Sequence, residues 1–151
     1  MLILAASVLA AGAAPAQDRR LEDAIVAAMK SGEGAPAIKG LVKAGYVKQK
    51  PNRRVDYVDY RAFRKPLTLA GATLVTIEEE YMTKHIGCCV NEGIGLVARV
   101  GADPQALTAL AKAANCAIKD EEAVKDSLAN AGARPGAGGL VYISCRSGDR
   151  R

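Results

Sequence analysis

The sequence has no tryptophan, one phenylalanine and one histidine, and aromatic residues are only 4% of its 151 positions. A core must therefore be built from Ala, Val, Leu and Ile. No G-x-S-x-G elbow, H-E-x-x-H helix or phosphate-binding P-loop occurs, so no motif names a reaction. Absence of C-x-x-C removes the motif of a thioredoxin-like redox role. The one long apolar run is too short for a membrane span, which needs about 20 residues, and a multi-spanning protein is excluded. With 50% hydrophobic residues and a net charge of only +5, the chain is not a disordered segment either. No internal repeat is found.

What is present first bears on compartment. Leu2 to Ala14 is apolar or small throughout, and Ala14-Pro15-Ala16 places small residues at the −3 and −1 positions of a signal-peptidase site. Residues 1–16 are thus expected to be a secretory leader, although no Lys or Arg precedes the apolar run. The mature chain, 17–151, is expected to be periplasmic or secreted and long enough to bury one ordinary core.

Leu21, Ala24, Ile25, Ala28 and Met29 share one helical face closed by Ser31-Gly32, and a second helix starts at Pro36 and ends at Gly45. Residues 17–50 are expected to form a helical, loosely attached N-terminal lobe. Val55 to Arg61 alternates like a single strand, as do Leu67–Leu69 and Ala72–Tyr81, joined by an Ala70-Gly71 turn. In the longer run Val75, Ile77, Glu79 and Tyr81 are expected on one face. Ile86 to Gly93 reads as a loop or bulged strand end. Ile94 to Val100 reads as a strand, Asp103-Pro104 starts a helix, Asp120 caps another that Gly132 closes, and Leu140 to Cys145 is a last strand. The order implies an α+β fold: a single small domain with a mostly antiparallel sheet, helices packed on one face and disulfide staples.

Cys88, Cys89, Cys116 and Cys145 are an even set in an exported chain, so disulfides are expected. Adjacent cysteines bridge only with a distorted peptide unit. The expected pairing therefore sends one of Cys88 and Cys89 to Cys116 and the other to Cys145. A competing reading makes His85, Cys88, Cys89 and a distant thiolate a zinc or copper site, or leaves the cysteines as redox-active thiols, although the spacing matches no closed zinc pattern.

Eight cations from Lys43 to Lys65 face only Asp56 and Asp59, a local charge of +6, with Tyr46, Tyr57, Tyr60 and Phe63 interleaved. Lys48, Lys50, Arg53, Arg54, Tyr57, Tyr60, Arg61 and Arg64 are the candidate binding face. Cations would attract an anionic lipid headgroup, cell-wall polymer or acidic protein, and the rings would add contact area. A competing reading sets Glu78, Glu79 and Glu80 opposite Arg61 or Arg64 as cross-strand pairs. The same glutamates, or His85 with a neighbouring cysteine, are the only acid–base candidates, and a non-catalytic binding or inhibitory module without cofactor is the leading expectation. If the leader is misread, the helix–turn–helix–strand order of the first 60 residues looks like a winged-helix DNA-binding module.

Overall fold

The computed structural model describes residues 15–82 and 90–150. His85, Cys88 and Cys89, and the leader up to Ala14, lie outside the described residues. The chain opens with two helices, α1 (Ala16–Ser31) and α2 (Ala35–Lys43). Both end where the sequence says they should, because Gly32 and Gly45 take the left-handed conformation that a side chain disfavours.

Seven strands follow: β1 (Arg53–Val55), β2 (Val58–Ala62), β3 (Thr68–Leu69), β4 (Ala72–Glu80), β5 (Gly93–Val100), β6 (Ala117–Lys119) and β7 (Gly139–Ser144). Helix α3 (Gln105–Ala113) lies between β5 and β6, and α4 (Glu121–Ala131) between β6 and β7. They form one sheet in the order β1-β2-β4-β5-β7-β6, with β3 paired to β4. Every pairing is antiparallel. The α+β class and the single domain stand.

Three details depart from the periodicity. The expected strand Val55–Arg61 is two strands, because Asp56 accepts a positive φ of 53° and turns the chain back. Strand β6 is three residues at the sheet edge, too short to alternate visibly. In β4 a bulge between Leu74 and Thr76 resets the alternation. Leu74 and Ile77 therefore share the main core, while Val75 packs on the other side.

Both sheet faces are covered, which corrects the expectation of helices on one face only. Helices α1, α2 and α3 pack with Ile77, Ile94, Leu96, Ala98 and Ile143 in the larger core. Helix α4 lies across the opposite face, where Val124 and Leu128 meet Val97 and Tyr142, and Ser127 shares a 2.9 Å hydrogen bond with Thr76. Strand β5 is buried on both sides from Gly93 to Ala98 for this reason. The helical segment at the start is no loose lobe: Leu21, Ile25, Met29, Ala37, Ile38 and Leu41 all belong to the larger core. Burial of each large aliphatic there stabilises by roughly 1.5–3 kcal/mol relative to exposure.

The cysteine pairing is also corrected. Cys116, just beyond α3, bridges Cys145 at the end of β7, with Cα atoms 4.4 Å apart. Antiparallel pairing of Ala117 with Ser144 brings the two together, so neither sulfur reaches back to residues 88 and 89.

Candidate functional site

The β1–β2 hairpin distributes the candidate binding residues over both sheet faces. Arg53 and Tyr60 are register partners, as are Arg54 and Asp59, and successive positions point to opposite sides. On the side of α2, Arg54 donates to Asp59 at 3.1 Å and to the Tyr81 hydroxyl at 2.7 Å, with its guanidinium 4.8 Å from the Tyr81 ring centre. Arg61 is only 6% exposed and donates to the carbonyls of Lys48 and Gln49 at 3.1 and 3.0 Å. It also lies 3.7 Å from Asp59. Arg61 therefore pins the 48–49 segment to the sheet. Tyr60 points to the other side and is partly buried, while Tyr57 sits in the hairpin turn.

Lys48, Lys50, Arg53 and Arg64 remain exposed, as do Lys43 and Lys65. None of these six is in an ion pair among the described residues. The eight residues are thus not one face. Lys48, Lys50, Arg53 and Arg64 are exposed cations, and Arg54 and Arg61 serve the fold.

Arg64 also lines a cleft. It has a volume of about 380 Å³ and is lined by Ala62 to Pro66, Thr73 to Val75, Arg99 and Gly132 to Arg134. Among the described residues, Arg64, Lys65, Arg99 and Arg134 are its only charged lining residues. Lys65 is held 4.2 Å from the ring centre of Tyr46, whose hydroxyl donates to Asp18. Arg99 donates to the carbonyl of Pro135 at 2.8 Å, while its Nε is buried without a partner among the described residues. Arg99 and Arg134 escaped sequence reasoning because they lie 35 and 70 positions from Arg64. Only the pairing of β4 with β5 and the return of the chain after α4 bring them there.

The three glutamates part company. Glu78 and Glu80 point to the α4 side, where Arg146 pairs with Glu78 at 2.5 Å and with Glu80 at 3.3 Å. Tyr142 donates to Glu78 at 2.8 Å, and burial together with that carboxylate pushes its hydroxyl far up. Tyr60 stands opposite Glu78 across the β2–β4 ladder. The expected cross-strand Arg–Glu pairing is thus replaced by Arg146, and Arg61 stands opposite Ile77. Glu79 points to the α2 side, where burial raises its carboxyl above the ordinary 4.5 despite the lowering influence of Arg61. Glu78 and Glu80 thus converge on one guanidinium, while Glu79 lies on the other side of the sheet.

Among the described residues no three His, Cys, Asp or Glu side chains gather as a metal site, and no helix is long and apolar enough to cross a membrane. No protein-family model, curated protein or solved structure matches the chain.

Proposed function

We propose that this protein is an exported binding module that takes anionic groups of a cell-envelope partner into its basic cleft. The observation that carries the reading is the cleft lined by Arg64, Lys65, Arg99 and Arg134 with no carboxylate lining it among the described residues. Guanidinium groups suit phosphate and carboxylate oxygens because their donors form a planar fork. Lys48, Lys50 and Arg53, exposed and in no ion pair among the described residues, add positive charge that favours a polymeric or membrane-borne partner over a single small anion. Phe63 and Pro66 give the cleft an apolar wall for the body that bears the charge.

Export is supported by the leader's layout and by the Cys116–Cys145 bridge, since disulfides persist in oxidising compartments. Binding of polyphosphate, polyglutamate and phosphatidylglycerol vesicles tests the reading. At least one should bind, and replacing Arg64, Lys65 and Arg134 together with serine should weaken it about tenfold or more. Failure of all three probes, or binding indifferent to the triple substitution, would overturn it.

A further inference from the structure

Helix α2 does not close completely on the sheet beside Glu79. Two cavities of about 610 and 340 Å³ open there and share Ala35, Glu79 and Tyr81 in their linings. Gly34 makes the approach possible, since a Cβ at that position would stand 2.6 Å from Ile94 and 3.1 Å from the Glu79 side chain.

The two ends of this groove carry opposite charge. The smaller cavity is lined by Glu33 and Glu92 as well as Glu79, with no cation among the described residues. The larger one is lined by Lys39, Lys43 and Arg61, with Ile38 and Val42 as apolar wall. Glu79 is 8% exposed with Arg61 and Arg54 as its nearby cations, and one buried charge beside it is incompletely satisfied. Arg61 is 6% exposed, and its NH1 group has no partner among the described residues. A buried donor without a partner is costly, so a ligand that supplies one gains affinity.

We propose that this groove binds a short apolar peptide with free ends, its ammonium toward Glu33, Glu79 and Glu92 and its carboxylate toward Lys39, Lys43 and Arg61. The site is separate from the basic cleft, and neither reading depends on the other. Helical geometry supports the length. Lys39 and Lys43 lie one and two turns beyond Ala35, about 6 and 12 Å along the axis. Extended chain advances about 3.3 Å per residue, so two to four residues match that span and a free amino acid does not. A simple amine meets the acidic end but leaves the basic end unanswered.

Calorimetric titration with the tripeptide Ala-Leu-Ala tests the proposal, beside its N-acetylated form, its C-amidated form, free leucine and octylamine. The free-ended tripeptide should bind saturably, and each cap and the free amino acid should weaken binding about tenfold. Glu79→Gln should weaken the uncapped peptide about tenfold without further weakening the acetylated one, and Lys39→Gln with Lys43→Gln should spare the amidated one. Thermal midpoints verify that these variants are folded. Equal affinity for capped and uncapped peptides, octylamine binding as tightly as the peptide, or no saturable binding at millimolar peptide would each overturn it.

Discussion

Replacing Cys116 with serine breaks the Cys116–Cys145 bridge and leaves Cys145 as a free thiol. The bridge closes a segment of 29 residues. In the chain-entropy treatment a closure of that length restricts the unfolded ensemble by about 12 cal/mol/K, or roughly 3.6 kcal/mol at 25 °C. A urea dependence of about 2 kcal/mol/M converts that to a midpoint about 1.8 M lower. Because Cys145 is fully buried in the larger core, the double variant with alanine at both positions also removes a packed sulfur and should fall slightly further. The assay is equilibrium urea unfolding followed by circular dichroism. A shift below about 0.3 M in both variants would refute the reasoning, since the bridge would then restrict nothing that the β6–β7 pairing does not already restrict.

Glu78→Ala leaves Arg146 and Tyr142 without their shared carboxylate and should destabilise by about 3–5 kcal/mol, measured by the same unfolding assay. Two acid-range effects of opposite sign are expected. Burial pushes the Asp149 carboxyl up, but hydrogen bonds from Lys119 and Ser144 outweigh it and leave it below the ordinary 3.8. Its stabilisation is therefore complete above that value and lost as pH falls through the folded value, so Asp149→Asn should be less stable than wild type at neutral pH, with the gap closing in acid. Glu79 is shifted upward, so its ionisation opposes folding at neutral pH. Glu79→Gln should raise the thermal midpoint at pH 7, and the gain should vanish as pH falls below the ordinary 4.5. Gly93→Ala would place a Cβ 2.6 Å from the Cys145 carbonyl oxygen at a φ of 141°, and should lower stability by about 2 kcal/mol or more in urea titration.

Much of the fold was legible because local chemistry specifies it. Asp120 accepts from the backbone of Ala123 at 3.0 Å, as a capping aspartate should, and Gly132 closes the same helix in the left-handed conformation. The turn at Ala70-Gly71 falls where the sequence places it. Features that depend on partners were hidden. The apolar stripe of α4 is readable from Val124 and Leu128, but periodicity carries no information about which side of the sheet receives it. The bulge after Leu74 puts Val75 on the face opposite Ile77 and Glu79, and nothing within the run signals it. Asp56 reads as one polar residue in an alternating strand until the chain is seen to turn there.

Of the candidate site, the local positive charge was legible and its division was not. Arg61 and Arg64 are three positions apart, yet one is buried against the 48–49 carbonyls and the other lines the cleft. Alternation along β2 and the end of that strand separate them. The cations that complete the cleft, Arg99 and Arg134, come from other strands and loops, so only the assembled sheet places them beside Arg64.

Salt titration of polyphosphate affinity, carried out on wild type and on the triple serine variant at Arg64, Lys65 and Arg134, tests the cationic cleft most directly. The wild-type dissociation constant should rise steeply with ionic strength, and the variant should bind more weakly with a shallower dependence. Wild-type affinity that stays level from low to high salt, or a variant with an unchanged slope, would contradict the account.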